Sequence, residues 1–342
     1  MESVGTPVLW IGFTIFVLAM LAIDLGVFHR KAHEVRFKEA MTWTFVWITI
    51  SLLFNVLVWY WFGPVKGLEF LTAYVIEKAL SVDNIFVFIV LFTSFAVPKM
   101  LQHRVLFWGV LGALVFRAIF IVLGAALLNR FHWMLYVFGA LLLITGIKML
   151  VTAEEEVHPE NNPMYRFAKR FIPTVSDYEG GNFFTVRNGK RFATPLLLVL
   201  IAVEASDIVF AVDSIPAIFA ITNDPFIIYT SNVFAILGLR SLYFLLAGVV
   251  EKFHYLKIGL AIVLTFVGVK MLGEGFVHQW LDKESIIGIS LGVVALVLIG
   301  SVVASLIWPQ QAETHVEVQL PPDFNSPFDD DQGRLGADEP QG

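Results

Sequence analysis

Residues 203–219, VEASDIVFAVDSIPAIF, carry three carboxylates (Glu204, Asp207 and Asp213) in a run otherwise apolar enough to cross a bilayer. An ionised side chain at membrane depth costs from about 2.5 kcal/mol upward unless it faces a polar cavity or a partner. Three acids within ten residues are therefore hard to explain as packing. A second acidic stretch, EKALSVDN, lies upstream at 77–84. Shifted by 130 residues, Glu77 falls on Asp207, Asp83 on Asp213 and Asn84 on Ser214. Carboxylate, amide, hydroxyl and backbone oxygens suit hard divalent cations such as Mg²⁺, Ca²⁺ and Mn²⁺. Protons and a dication can compete for crowded carboxylates, because like charges there repel one another. The expectation is one cation site, shared by two helices near mid-membrane and working by proton-coupled antiport.

On a regular helix Ser81 and Asn84 share a face with Glu77. Asp83 comes six residues after Glu77, and Asp213 six after Asp207, each about 120° round the axis. Either they face a second partner or the helix is broken. Pro216, which cannot donate to the carbonyl of Val212, favours a break in the later stretch. Asp83, Asn84, Asp207 and Asp213 are the expected ligands, with Glu77 and Glu204 as further ligands or proton relays. The plainer reading pairs the acids with Lys78, Arg117 and Arg240, which lie in apolar runs too. Three bases against five acids still leave two negative charges. Arg117 and Arg240 are expected to be structural partners of some carboxylates, while Lys78 and Asp24 are relay or structural candidates. Asn55 and Asn232 are expected to hydrogen-bond between helices.

The elements that must position these residues are long and apolar. Of the 342 residues, 57% are hydrophobic and 15% charged, and the apolar residues fall in runs of the length a membrane helix needs. They do not alternate as barrel strands would. Nine spans are expected, at roughly 7–27, 40–62, 69–97, 104–128, 132–151, 194–221, 227–250, 256–273 and 286–307. The first carries Glu2 and no basic residue ahead of it and is too long for a signal peptide, so it reads as a retained span. With no cysteine, disulfides, thiolate ligands and a cysteine nucleophile are excluded. Alternate loops hold fifteen lysines and arginines on one side against three (Lys66, Arg130 and Lys283) on the other. That asymmetry puts the N-terminus outside and the C-terminus in the cytoplasm.

Spans three to five and six to eight also resemble each other in order. Arg117-Ala-Ile-Phe-Ile-Val-Leu-Gly parallels Arg240-Ser-Leu-Tyr-Phe-Leu-Leu-Ala, and GIKML at 146–150 parallels GVKML at 268–272. Two copies of three spans each, joined by a loop that does not cross, must insert in opposite senses. Such inverted repeats are common in secondary transporters, whose sites lie near the midplane where the copies meet. The expected fold is thus an all-α polytopic membrane protein with a three-plus-three inverted repeat. Residues 1–307 form the transport domain, including a cytoplasmic loop at 152–192. In that loop FFTVRNGKRFAT reads as a β-hairpin on an Asn188-Gly189 turn. Residues 308–342 form an acidic, disordered tail.

Paired aspartates on different spans also suggest intramembrane proteolysis. The Gly-x-Gly-Asp pattern of those proteases is missing, as are a phosphate loop, a nucleophile elbow and an HExxH helix. EKALSVDN at 77–84, EASDIVFAVDSIPAIFAIT at 204–222, SNVFAILGLRSLYFLLAG at 231–248 and VGVKML at 267–272 resemble the TerC family, most closely its Alx branch. The likeness runs from VGTPVLW at 4–10 to about residue 307. The family takes its name from tellurium resistance, and its Alx members are regarded as manganese exporters of the bacterial inner membrane. The resemblance therefore implies Mn²⁺ as the ion and efflux as the direction. It also places the implicated acids on Glu77, Asp83, Glu204, Asp207 and Asp213. No enzyme activity, resident cofactor or nucleic-acid partner is expected; the chain meets lipid, Mn²⁺ and protons. The competing reading is a non-transporting membrane partner of the secretion machinery or of a tellurite or alkaline-stress complex.

Overall fold

The computed structural model describes residues 3–28, 37–151, 173–175, 177–187, 189–247, 254–273 and 282–308, with the side chains of 24–28 and 254 excepted. The helices are α1 (Pro7–Phe28), α2 (Phe37–Phe62), α3 (Pro64–Ser94), α4 (Lys99–Arg130), α5 (Met134–Val151), α6 (Pro195–Phe219), α7 (Pro225–Leu237), α8 (Leu239–Leu246), α9 (His254–Leu272) and α10 (Lys283–Ile307). Strands β1 (Phe184–Arg187) and β2 (Lys190–Ala193) lie between α5 and α6. The Asp24 side chain, Asn188, most of the 152–192 loop and the tail beyond Trp308 fall outside the described residues.

Among the described residues seven helical stretches are long and apolar enough to cross a membrane: α2, α4, α5, α6, α7 together with α8, α9 and α10. The chain is thus a multi-pass helical membrane protein. Two of the nine expected spans are not among the seven. The apolar run of α1 is described only over Pro7–Ile23. The 31 residues of α3 are long enough, but Glu69, Glu77, Lys78 and Asp83 dilute their hydropathy. The helix richest in chemistry is the one a hydropathy criterion passes over. Proline opens α3, α6 and α7 at the first turn, where its missing N–H costs nothing.

Leu53, Val122, Ile144 and Leu296 on α2, α4, α5 and α10 point outward and are 61–74% exposed, as a lipid-facing surface should be. By contrast α7 is buried on all sides, with only Pro225 and Tyr229 partly exposed. Its Phe234 sits in an aromatic cluster with Phe54 (ring centroids 4.8 Å), Phe13 (5.8 Å) and Phe70 (6.1 Å), which ties α1, α2 and α3 to it.

The helices ending in GIKML and GVKML, α5 and α9, pack backbone against backbone. A Cβ on Gly146 would stand 2.7 Å from Thr265 N and 2.9 Å from Ala261 O. One on Gly268 would stand 2.7 Å from Leu143 N and 2.9 Å from Gly139 O. Each pair maps onto the other under a shift of 122 residues, so the contact is self-complementary and the two helices run antiparallel. Small residues allow this approach where lipid offers no hydrophobic drive for helices to associate.

Strands β1 and β2 pair antiparallel from Phe184↔Ala193 to Arg187↔Lys190, with Gly189 at φ +74° in the two-residue turn. Phe183 packs its ring 6.4 Å from that of Trp108 and lies under Arg104, which seats the hairpin on the first turns of α4. Thr194 then leads straight into α6.

Because the α5–α9 contact is reciprocal, Gly146→Val and Gly268→Val should lower stability to a similar degree, by about 1–3 kcal/mol each. Thermal unfolding of the purified protein in detergent checks this. A large loss in one variant and none in the other would show that the two contacts are not equivalent.

Candidate functional site

The expected break at Pro216 is absent: α6 runs unbroken from Pro195 to Phe219. Pro216 stands three residues from the end of the helix, so it removes a single hydrogen bond, and its buried ring packs with the core. Asp213 instead faces a second partner, accepting from Thr145 Oγ1 of α5 at 3.1 Å. The discontinuity lies at Gly238, between α7 and α8. There Lys78 Nζ donates to Ala235 O at 3.2 Å, and a Cβ on Gly238 would come within 2.7 Å of that ammonium. Lys78 is thereby a structural partner of the interrupted span.

Helix α4 approaches α6 closely through glycine. A Cβ on Gly109 would lie 3.1 Å from Val203 Cγ1, and one on Gly112 would run into the Glu204 carboxylate. Five residues further along α4, buried Arg117 enters between α3 and α6. Its Nη1 donates to Glu77 Oε1 and, at 3.3 Å, to Ser214 Oγ, while Nη2 donates to Asp207 Oδ1 at 3.4 Å. Glu77, Asp207 and Ser214 are all buried, so one guanidinium joins the two acidic helices at the positions the 130-residue shift superposes.

The structure does not gather every candidate around that point. Glu204 stands against Gly112, half-buried, and Asp213 is held at Thr145. Asp83 is half-buried on α3, with Asn84 buried beside it, and Arg240 is buried at the start of α8. Among the described residues no group of three or more histidine, aspartate and glutamate side chains is arranged to hold a metal ion. Like charges crowded without a cation would repel, and separate partners keep them apart. What the site offers is oxygen without a donor. Glu77 Oε2, Asp207 Oδ2, Glu204 Oε2 and Ser81 Oγ are buried and accept no hydrogen bond from the described residues. Asn232, buried in α7, likewise has no hydrogen-bond partner for either amide atom there, where an interhelical bond was expected. Each such group carries an unmet demand for a proton, a water or a cation.

A second polar cluster escaped the sequence reading. Glu69 and Asp224 are buried, at 0% and 2% exposure, near the ends of the same helices. Lys66 Nζ lies 2.8 Å from Glu69 Oε2 and 3.3 Å from Asp224 Oδ2. Lys283 Nζ lies 2.6 Å from Glu69 Oε1, and Thr222 Oγ1 donates to Glu69 Oε2 at 2.6 Å. Asp224 caps α7 by accepting from Phe226 N at 3.0 Å and takes Ser3 Oγ at 2.9 Å. Acids near span ends are ordinarily solvated, which hid both. The usable signal was spacing: Glu69 precedes Glu77 by two helical turns on the same side of α3.

Residues 62–313 match the pattern of the integral membrane protein TerC family. The chain belongs to the TerC family. It is 57% identical over 312 residues to an uncharacterized membrane protein, STKORF319, of Myxococcus xanthus, covering 91% of this chain and 96% of that one. It is 50% identical over 308 residues to a putative membrane-bound redox modulator, Alx, of Escherichia coli strain K12, covering 87% of this chain and 94% of the relative. A Salmonella typhi protein of the same name is 50% identical over 303 residues. No solved structure matches. The matched TerC region spans both acidic helices, Arg117, and the Glu69 cluster.

Removing Arg117 from this TerC chain leaves two buried carboxylates facing each other. Arg117→Ala should therefore cost about 3–5 kcal/mol. Adding Glu77→Gln and Asp207→Asn to the same chain should recover most of that loss. Thermal unfolding in detergent reads both effects; an Arg117→Ala protein as stable as its parent would mean the ion pair does not hold α3 to α6.

Proposed function

We propose that this TerC protein is an inner-membrane carrier that exports divalent metal cations, Mn²⁺ foremost, in exchange for protons. Glu204 and Asp213 carry the reading: two acids in a membrane-crossing helix with no cationic partner among the described residues. Glu77 and Asp207 add to them by sharing a single guanidinium, each keeping one oxygen without a donor. An intramembrane carboxylate without an ion-pair partner is a functional candidate by default. Oxygen donors from Glu77, Asp83, Asn84, Glu204, Asp207 and Asp213 suit a hard dication, and protons restore neutrality when the ion has left.

The inverted repeat belongs to this reading. Its support is the self-complementary, antiparallel α5–α9 contact together with Arg117 bridging equivalent positions on α3 and α6. Nine crossings, with the N-terminus outside and the C-terminus in the cytoplasm, follow if α1 and α3 cross as well. The Escherichia coli and Salmonella typhi relatives bear the name putative membrane-bound redox modulator. Since this chain has no cysteine, a redox effect of its own would run through metal supply and not through a thiol.

Purified protein in liposomes, with Mn²⁺ on one side and an imposed pH gradient, tests the proposal directly. Wild-type protein should move Mn²⁺ against proton flow, and collapsing the gradient should stop net accumulation. Glu204→Gln and Asp207→Asn should each lower the flux at least about ten-fold while the protein stays monodisperse, as loss of a charged ligand or relay implies. Undiminished flux in both variants would sink the carboxylate site. No flux in the parent would favour the non-transporting membrane partner.

A further inference from the structure

The inference here rests on the carrier reading and concerns how the path closes on its outer side. Glu69, Ala73 and Glu77 follow one another at i+4 on α3, and all three are 0% exposed. On α6, Asp207, Ala211, Ser214 and Ile218 make a matching buried face that runs on to Thr222. The two faces meet at Arg117, where Glu77 and Ser214 share Nη1. They meet again where Thr222 Oγ1 donates to Glu69 at 2.6 Å. The helices are therefore antiparallel, and the second meeting lies about 12 Å further along α3. Between the meetings stand Ala73 on α3 and Ile218 on α6, both buried. The second meeting point is on the side that the lysine and arginine distribution assigns to the exterior.

Two lysines cover it. Lys66 spans Glu69 and Asp224, and Lys283 takes the other oxygen of Glu69 at 2.6 Å. The Lys283 side chain is 55% exposed although the carboxylate it holds is fully buried. It reaches that carboxylate from a small cleft bordered by Thr222, Asn223, Met271 and Ile287. Two ammonium groups on two carboxylates make a neutral cluster, and a dication carries the same charge as the pair it would replace. Lysine is also a compact charge on a flexible stem, whereas the Arg117 fork is planar and rigid. The inner clamp is built to stay and the outer one to move.

We propose that Lys283 and Lys66 close the outer mouth of the carrier as tethered cations on Glu69. The mouth opens when their ammonium groups leave, and Glu69 is then the last carboxylate a departing divalent cation meets. Glu69 thereby extends the acid face of α3 from the central site to the exterior.

The absence of native cysteine makes this directly testable. Ala73→Cys places one thiol behind the closure, and Ile218→Cys places one on the facing helix as an independent reporter. In spheroplasts carrying the full chain, a membrane-impermeant charged methanethiosulfonate is added outside and labelling is followed by mass. Both reporters should react slowly in the otherwise native chain. Lys283→Met and Lys66→Met should each raise the rate at least ten-fold, and Lys283→Arg should stay slow. Rates within two-fold of the parent in both methionine variants, with unchanged expression and monodispersity, overturn the proposal. So does a Lys283→Arg chain that labels as fast as Lys283→Met. Labelling reads accessibility alone, so its failure is distinct from a failure of the flux measurement.

Discussion

One guanidinium holds the acidic helices together. Arg117 reaches from α4 to Glu77 on α3 and to Asp207 on α6, and all three groups are buried. Buried ion pairs of this kind seldom add much net stability, yet removing one partner leaves an uncompensated charge that is strongly destabilising. The arginine is thus a constraint more than a source of stability: α3 and α6 cannot separate at this level without stranding a carboxylate. The glycines of α4 serve the same constraint. Gly109 and Gly112 let α4 lie close enough on α6 for Arg117 to reach past it to α3. Yet one cation shared by two acids leaves the site acidic, and excess acid in an apolar medium is costly unless a proton or a cation offsets it.

What the sequence displays is local. Charges inside an apolar run stand out against their neighbours, which is why Glu77, Glu204, Asp207 and Asp213 are legible in the chain itself. The repeated GxKML reads as internal similarity, while the close contact of the two helices through their own backbones shows only in the structure. The pairing of acids with bases depends on separations between helices that no spacing encodes. Arg117 is recognisable as a structural partner, while its choice of Glu77 and Asp207 over Glu204 and Asp213 is not. Pro216 misleads because proline chemistry does not say how near a helix end the residue lies. The real interruption, at Gly238, is marked by an amine two helices away, not by any local breaker stronger than glycine. Glu69 and Asp224 are easily passed over because an acid near a span end is usually a solvated one; here both are sealed by lysines from the ends of α3 and α10.

The α3–α6 pair is closed by different physics at its two ends. At the end that the proposed orientation places outside, the contact is ionic, Glu69 and Thr222 under two lysines. The positions related to Glu69 and Thr222 by the 130-residue shift are Val199 and Phe92. Both are buried in a hydrophobic cluster with Leu196, Val203 and Leu106. An apolar closure excludes ions by denying them hydration and depends on packing alone. An ionic closure, by contrast, can be displaced by another cation. A carrier that takes its ion from the cytoplasm and releases it outward gains direction from that difference. The inner barrier yields only when the packing of α3 against α6 changes, while the outer one yields to charge. In that proposed carrier the similarity of the two acidic helices is lost where the two ends would have to behave differently.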